Sequence, residues 1–423
     1  MFEGVSILKK RRFLPFKKNQ KFNILISPIL IIPSLLVLIS SLLIFSIQKQ
    51  SIYNDSLKHL LTGFLGYFVA LIISYIPLEK LKKWIIPFYL LSIFSLILIY
   101  FFGVSNYGAQ RWLSLGFLTF QPSEIAKLST LLALALALEK KSISSLNDLL
   151  IPFIIVLLPW MLIFFQPDLG TSLVLIFLFL AMLYWIQMPI EWILIITLSL
   201  FTAVLSFISK FSLIIWIPFM GFLAYRSFQN KKIATFLVLI FHGLVAQITP
   251  LLWELGLKEY QKDRLILFLD PGRDPLGGGY HLLQSKIAIG SGGLFGTGIL
   301  NGKLTNLQFI PEQHTDFIFS AAGEEIGFVG SILIVFLFFI LINLLLRISK
   351  TARTDFESLL VLGIASIFLF QIIINIYMTI GLGPVTGIPL PFMSYGRTSL
   401  LVNFIFIGMA LSTLKRSISL KSK

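Results

Sequence analysis

The chain has 423 residues, 57% hydrophobic and 13% charged, with no cysteine and a formal net charge of +15. Soluble domains run at roughly 45–50% apolar and 25% charged, so this composition excludes a water-soluble globule and places the chain in a bilayer. The lack of cysteine excludes disulfides and thiolate metal sites, leaving external loops to be held by packing and polar contacts.

Residues 1–22 form a basic tail, with Lys9, Lys10, Arg11 and Arg12 followed by Lys17, Lys18 and Lys21. Such a tail suits the cytoplasmic side and anionic lipid, at about 1 kcal/mol per residue near the surface. The apolar run after it is too long for the core of a signal peptide and holds no alanine for a cleavage site, so it is expected to remain as an anchor. A helix needs about 20 apolar residues to cross about 30 Å of hydrocarbon. On that measure the sequence predicts about 12 spans, at 24–47, 60–76, 84–102, 122–138, 148–165, 171–187, 192–208, 212–225, 233–251, 325–346, 358–380 and 398–414. The expected fold class is therefore all-α, a polytopic integral membrane helical bundle forming one domain over 1–423, with a cytoplasmic tail at 415–423.

Between the third and fourth spans, residues 103–121 break the pattern and carry GAQRWL, followed by FQPSEIAK. These strings offer Arg111, Gln121, Glu124 and Lys127, the last one turn inside a span. A cation inside a membrane pairs or lines a polar path. Glu124 and Lys127, on adjacent turns, thus read either as a structural ion pair or as the floor of an anion site. In QPDLGTS, Asp168 stands where a helix N-cap is expected.

The long segment 252–325 holds nine of the nineteen carboxylates. A carboxylate stays ionised at a water-facing surface and hardly at all in hydrocarbon, so a general base belongs here. Arg264 stands in the string YQKDR of this segment. Asp270 and Asp274 each precede proline, which favours extended backbone and puts both carboxylates on turns. Such turns either aim a carboxylate into a cleft or merely start the turn and pair with Arg273 or Lys286. The glycines at 277–279 and 290–298 permit close backbone approach, but no Walker pattern or strand-then-helix context marks a nucleotide loop. Glu312, His314 and Asp316 follow in PEQHTDFIF, at a spacing that fits no standard zinc signature. Glu324 and Glu325 are expected at the mouth of the next span.

Residues 381–397 contain Pro384, Pro389 and Pro391 and cannot continue a helix. An irregular or re-entrant stretch is tolerated near a membrane where it is buried in protein or lines a wet cavity. It is expected to face 103–121 and 252–325 across a shared cleft. With the N-terminus placed in the cytoplasm, 22 of the 34 Lys and Arg residues fall inside and 11 outside, six of those in the long segment. Both termini are thus expected in the cytoplasm and the acidic segment outside. The basic residues are dispersed over short loops and form no continuous stripe, so no nucleic-acid partner is expected.

GAQRWL, FQPSEIAK, QPDLGTS, DPLGGGY with QSKIAIGSGGLFG, PEQHTDFIF with GEEIGFVG, and GIPLPFMSYG occur in this order along the chain. In this it resembles the SEDS family (shape, elongation, division and sporulation) across most of its length. QSKIAIGSGG, PEQHTDFIF and VTGIPLPF are closer to the elongation branch than to the division branch. The resemblance implies a peptidoglycan glycosyltransferase that polymerises lipid II into glycan strands at the outer face of the inner (cytoplasmic) membrane, beside a class B penicillin-binding protein that crosslinks the product. By its position in DPLGGGY, Asp274 matches the family's catalytic carboxylate and would take the proton from the attacking hydroxyl. Arg111, Lys127, Arg264 and Lys286 are the candidates for stabilising pyrophosphate charge, with Gln121, Glu124, Glu312, His314 and Arg397 in the wider substrate site. No residue is assigned as a metal ligand, although a divalent cation (Mg or Mn) would assist the departing pyrophosphate.

The chain departs from the family at two places. Arg397 stands in SYGRTS where a second glycine is common. About ten spans are usual, which makes 192–225 an added hairpin that preserves the orientation of everything downstream. The rival readings are a lipid II transporter (flippase) and a non-catalytic scaffold that activates a penicillin-binding protein. A transporter would show a polar path at mid-membrane and paired broken helices in two related halves. The chain offers chiefly Lys127 and no repeat, which favours the enzyme.

Overall fold

The computed structural model describes residues 27–48, 55–106, 109–115, 118–139, 146–228, 230–256, 259–270, 274, 279–307 and 313–419. The basic tail 1–22 and Glu312 lie outside them. Helices α1 (Pro28–Ile47), α2 (Asp55–Tyr75) and α3 (Leu78–Phe102) lead into three short antiparallel strands, β1 (Val104–Asn106), β2 (Ala109–Leu115) and β3 (Leu118–Phe120). The break expected at 103–121 is thus a small sheet, which holds the only strands among the described residues. Next come α4 (Pro122–Leu138), α5 (Leu146–Phe165) and α6 (Leu169–Trp185). The added hairpin follows as α7 (Ile190–Thr197), α8 (Ser199–Ile208) and α9 (Lys210–Ser227), and α10 (Lys231–Leu251) closes the first part of the chain.

Nine helices among the described residues are long and apolar enough to cross a membrane, with α7 and α8 together making one crossing over Ile190–Ile208. Of the twelve runs predicted from sequence, those at α4, α6 and α9 do not meet this measure. Helix α4 is 17 residues long and carries Glu124 and Lys127, and nearly all of it is buried, so protein instead of lipid surrounds its polar groups.

The long segment folds into short helices, α11 (Glu259–Leu269), α12 (Tyr280–Ser291), α13 (Lys303–Asn306) and α14 (Ile318–Glu325). Three long helices end the chain: α15 (Gly327–Thr351), α16 (Asp355–Thr379) and α17 (Arg397–Ser419). The tail expected from 415 continues α17 as far as Ser419.

Burial separates the centre of the bundle from its rim. In α16 and α17, 72% of the apolar window is buried by protein, against 11% in α10. Small residues bring α17 and α2 together. A Cβ on Gly408 would stand 2.8 Å from the Ala70 carbonyl, and Gly66 lies against the Phe404 ring, the close approach that small residues permit between membrane helices. The hairpin helices lie at the rim. They are joined by a Trp192–Phe228 stack with centroids 4.1 Å apart and by a buried relay in which Trp216 Nε1 donates to Thr202 Oγ1 (2.9 Å), itself 2.6 Å from His242 Nδ1.

Candidate active site

The segment between α16 and α17 is the hub of the site. It is irregular, as its prolines predict, and it is held inside the protein at several points. The Phe392 ring is fully buried and packs edge-on to Phe368 of α16 (5.3 Å) and Phe404 of α17 (5.4 Å). Its backbone takes φ +63°, a left-handed conformation that costs a non-glycine residue about 1–3 kcal/mol and persists where its surroundings enforce it. On the other side, Ile388 lies so close to Gly170 of α6 that a Cβ there would come within 2.7 Å of its side chain. Asp168 caps that helix end, accepting from the Thr171 N–H (3.2 Å) and hydroxyl (2.9 Å).

Two glycines of this segment take left-handed backbone, Gly381 at φ +78° and Gly387 at φ +72°. Each has a cation from the long segment above it. A Cβ on Gly381 would overlap the end of the Lys286 side chain, carried by α12. One on Gly387 would stand 3.5 Å from Arg264 Nη1, carried by α11, and 3.3 Å from Asp316 Oδ2. The missing side chains thus make room for a guanidinium, an ammonium and a carboxylate over one stretch of backbone. Anchorage is provided by Asn375 of α16, whose Nδ2 donates to the carbonyls of Asp316 and Ile388, both at 2.8 Å. One turn on, the Thr379 carbonyl accepts from the hydroxyl of Ser285, next to Lys286 (2.6 Å).

A second cluster ties the hub to α2. The Tyr395 N–H donates to the His314 carbonyl (2.9 Å) and its hydroxyl to Asp55 Oδ1 (3.1 Å). The His314 ring lies 5.6 Å from the Tyr395 ring. Burial pushes the Tyr395 phenol up to about 12, with the Asp55 carboxylate adding to the shift and Arg397 opposing it.

The other predicted residues divide clearly. Asp274 is exposed on a bend one turn before α12, its carbonyl accepting from the Gly279 N–H at 3.1 Å. Arg111 on β2 donates to the carbonyls of Pro167 and Gln166, the latter at 3.4 Å, so it braces the turn before α6. Gln121 reaches Asp168 at 3.4 Å in the same corner. Glu124 and Lys127 form a 2.8 Å ion pair, both side chains almost fully buried. Arg397 is exposed at the first position of α17.

Glu324 and Glu325 are not at a water-facing mouth. Both are buried. Glu324 accepts from the backbone of Leu304 (2.8 Å) and Thr305 (2.9 Å) and from the Thr305 hydroxyl (2.6 Å), capping α13, while Glu325 accepts from Ser46 of α1. Among the described residues no three His, Asp or Glu side chains stand together as a metal site. Asn375, Tyr395 and Asp55 carry no role in the sequence reading, and Asp316 enters it only as a conceivable metal ligand beside Glu312 and His314. An amide in an apolar span is the signal that Asn375 carried, and Gln371 one turn earlier shares it.

A multi-pass helical membrane protein in which the short helices of one long segment bring cations over an irregular, protein-buried loop defines the class. The family model described as "Cell cycle protein" (FtsW, RodA, SpoVE) matches residues 20–238 and 212–418, two stretches that overlap within α9 and the start of α10. The chain belongs to this family. It is 34% identical over 400 residues to the peptidoglycan glycosyltransferase MrdB of Escherichia coli K12, covering 94% of this chain and 96% of that one. To the peptidoglycan glycosyltransferase RodA of Treponema pallidum it is 32% identical, covering 86% and 90%. Among solved structures, one described as "Structural coordination of polymerization and crosslinking by a peptidoglycan synthase complex" superposes with a TM-score of 0.69 at 27% identity, covering 92% of this chain and 97% of that one. The RodA crystal structure from Thermus thermophilus shares the fold, with a TM-score of 0.59 at 24% identity and coverage of 92% and 95%.

Proposed function

We propose that this peptidoglycan glycosyltransferase polymerises lipid II at the outer face of the cytoplasmic membrane, with Asp274 as general base. Glycosyltransferase activity in cell elongation follows from family membership and from relatives of that activity matched along nearly the whole chain. The observation that carries the finer reading is the placement of Arg264 and Lys286 over the two left-handed glycines of the hub. Asp274 stands six residues before the Lys286 helix, its carbonyl accepting from the N–H of Gly279 at 3.1 Å.

In this reading Asp274 takes the proton from the attacking sugar hydroxyl, a role worth about 10²–10⁴-fold. The hydroxyl oxygen bonds to the anomeric carbon of the donor as the bond from that carbon to pyrophosphate breaks. Attack opposite the leaving group inverts the centre and turns an α-linked donor into a β-linked glycan. Arg264 supplies forked donors and Lys286 a compact charge for the departing lipid pyrophosphate. The departing pyrophosphate would gain further positive charge from a divalent cation (magnesium or manganese) where one is bound, with no residue of this chain assigned as its ligand. Both termini lie in the cytoplasm. The crosslinking partner is a class B penicillin-binding protein, a reading supported by the similarity to a chain from a peptidoglycan synthase complex.

The test is incubation of the purified protein with lipid II in detergent, with and without Asp274→Ala. Glycan ladders from the wild type and a loss of about 10²-fold or more in the variant are expected. Equal ladders from both exclude Asp274 as the base. Movement of lipid II across vesicles without polymer points to a transporter, and polymer formed only by an added penicillin-binding protein points to a scaffold.

A further inference from the structure

Asn375 is fully buried in α16 and takes no part in the chemistry above. Its two amide hydrogens serve two chain segments that meet nowhere else in the sequence: the Asp316 carbonyl of the long segment and the Ile388 carbonyl of the hub, each at 2.8 Å. The two acceptors fix the amide's orientation, because a carbonyl oxygen cannot face them. Ile388 follows Gly387 directly, and Arg264 reaches that glycine from α11. Asp316 Oδ2 and Arg264 Nη1 both stand over Gly387, next to Ile388. One turn later, α16 also holds the Lys286 helix through Thr379 and Ser285.

We propose that Asn375 is a positioning residue for pyrophosphate binding: by clamping the Asp316 turn to the Gly387–Ile388 backbone, it sets Asp316 against Arg264 and aims the guanidinium at the departing phosphates. This rests on the function proposed above. A fork of donors stabilises a developing charge only when held in place beforehand, and a misplacement of about 1 Å caused by a change remote from the chemistry costs about 10²-fold. Replacement of Asn375 therefore acts through Arg264. A donor pair is required, and the substitutions rank accordingly. Asn375→Ser retains one donor, Asn375→Leu none, and Asn375→Asp sets a carboxylate against two carbonyl oxygens.

The experiment is a double-mutant cycle on the purified full chain, with ladder formation from lipid II and melting in detergent both measured. In the Arg264 background, Asn375→Leu is expected to lower kcat/KM by about 10²-fold, with Asn375→Ser between it and the wild type. Joined to Arg264→Ala, the same Asn375 substitutions should each cost no more than about twofold, since the group they aim is already gone. Additive losses in the double variants overturn the proposal. So does wild-type polymerisation by folded Asn375→Leu, and so does a lowered melting temperature with unchanged activity per folded molecule. Should Asn375→Leu fail to fold, Asn375→Ser carries the same cycle. A wild-type protein that forms no polymer refutes the polymerase reading itself, a result distinguishable from each of these.

Discussion

Tyr395 joins the hub to α2 through a single hydroxyl on Asp55, and its raised pKa gives that contact a pH signature. An unfolded tyrosine releases its proton near pH 10. The folded chain holds it up to about 12, so the contribution is complete below pH 10 and is lost as pH rises from there through 12. The wild type is expected to lose melting temperature in detergent across that window, and Tyr395→Phe to lose less. Equal alkaline profiles would show that the phenol titrates freely. Glu324 makes a sharper case. Removing its carboxylate with Glu324→Ala leaves the Leu304 and Thr305 N–H groups without their acceptor, at about 1–3 kcal/mol for each buried group. Calorimetry in detergent should record the loss, and Glu324→Gln, which keeps an acceptor, should lose less.

Among the elements, α4 offers a test of what its charges do. Lys127→Met leaves Glu124 as an unpaired buried carboxylate, expected to cost about 3–5 kcal/mol, whereas Lys127→Met with Glu124→Gln removes both charges and should recover most of it. Near-normal polymerisation by the folded double variant would settle the pair as structural. The sequence could suggest this pair because its partners lie three residues apart on one helix. It could also show that 381–397 is irregular, since proline density is a local property, and that acids gather in 252–325. It could not show which acids face water: Glu324 is buried because α13, twenty residues earlier, needs a cap. Nor could it single out Asn375, whose role exists only where two distant carbonyls meet in space. The strands at 104–120 were missed for a similar reason, since short turn-rich polar stretches carry little periodicity.

For the whole molecule, the proposed orientation has a direct check, because a chain without cysteine accepts single reporters cleanly. Asn301→Cys, in the long segment, should react with a membrane-impermeant maleimide in intact spheroplasts. Arg353→Cys, between α15 and α16, should react only after permeabilisation. The opposite pattern would invert the topology and remove Asp274 from the side on which glycan is made. The added hairpin has a practical meaning as well. Since α7, α8 and α9 sit at the rim, with α7 stacked on the end of α9 and the Trp–Thr–His relay tying them to α10, the short turn at Ser209 is a natural tether point. An epitope grafted there would let the enzyme be captured on a surface with its catalytic helices left unencumbered.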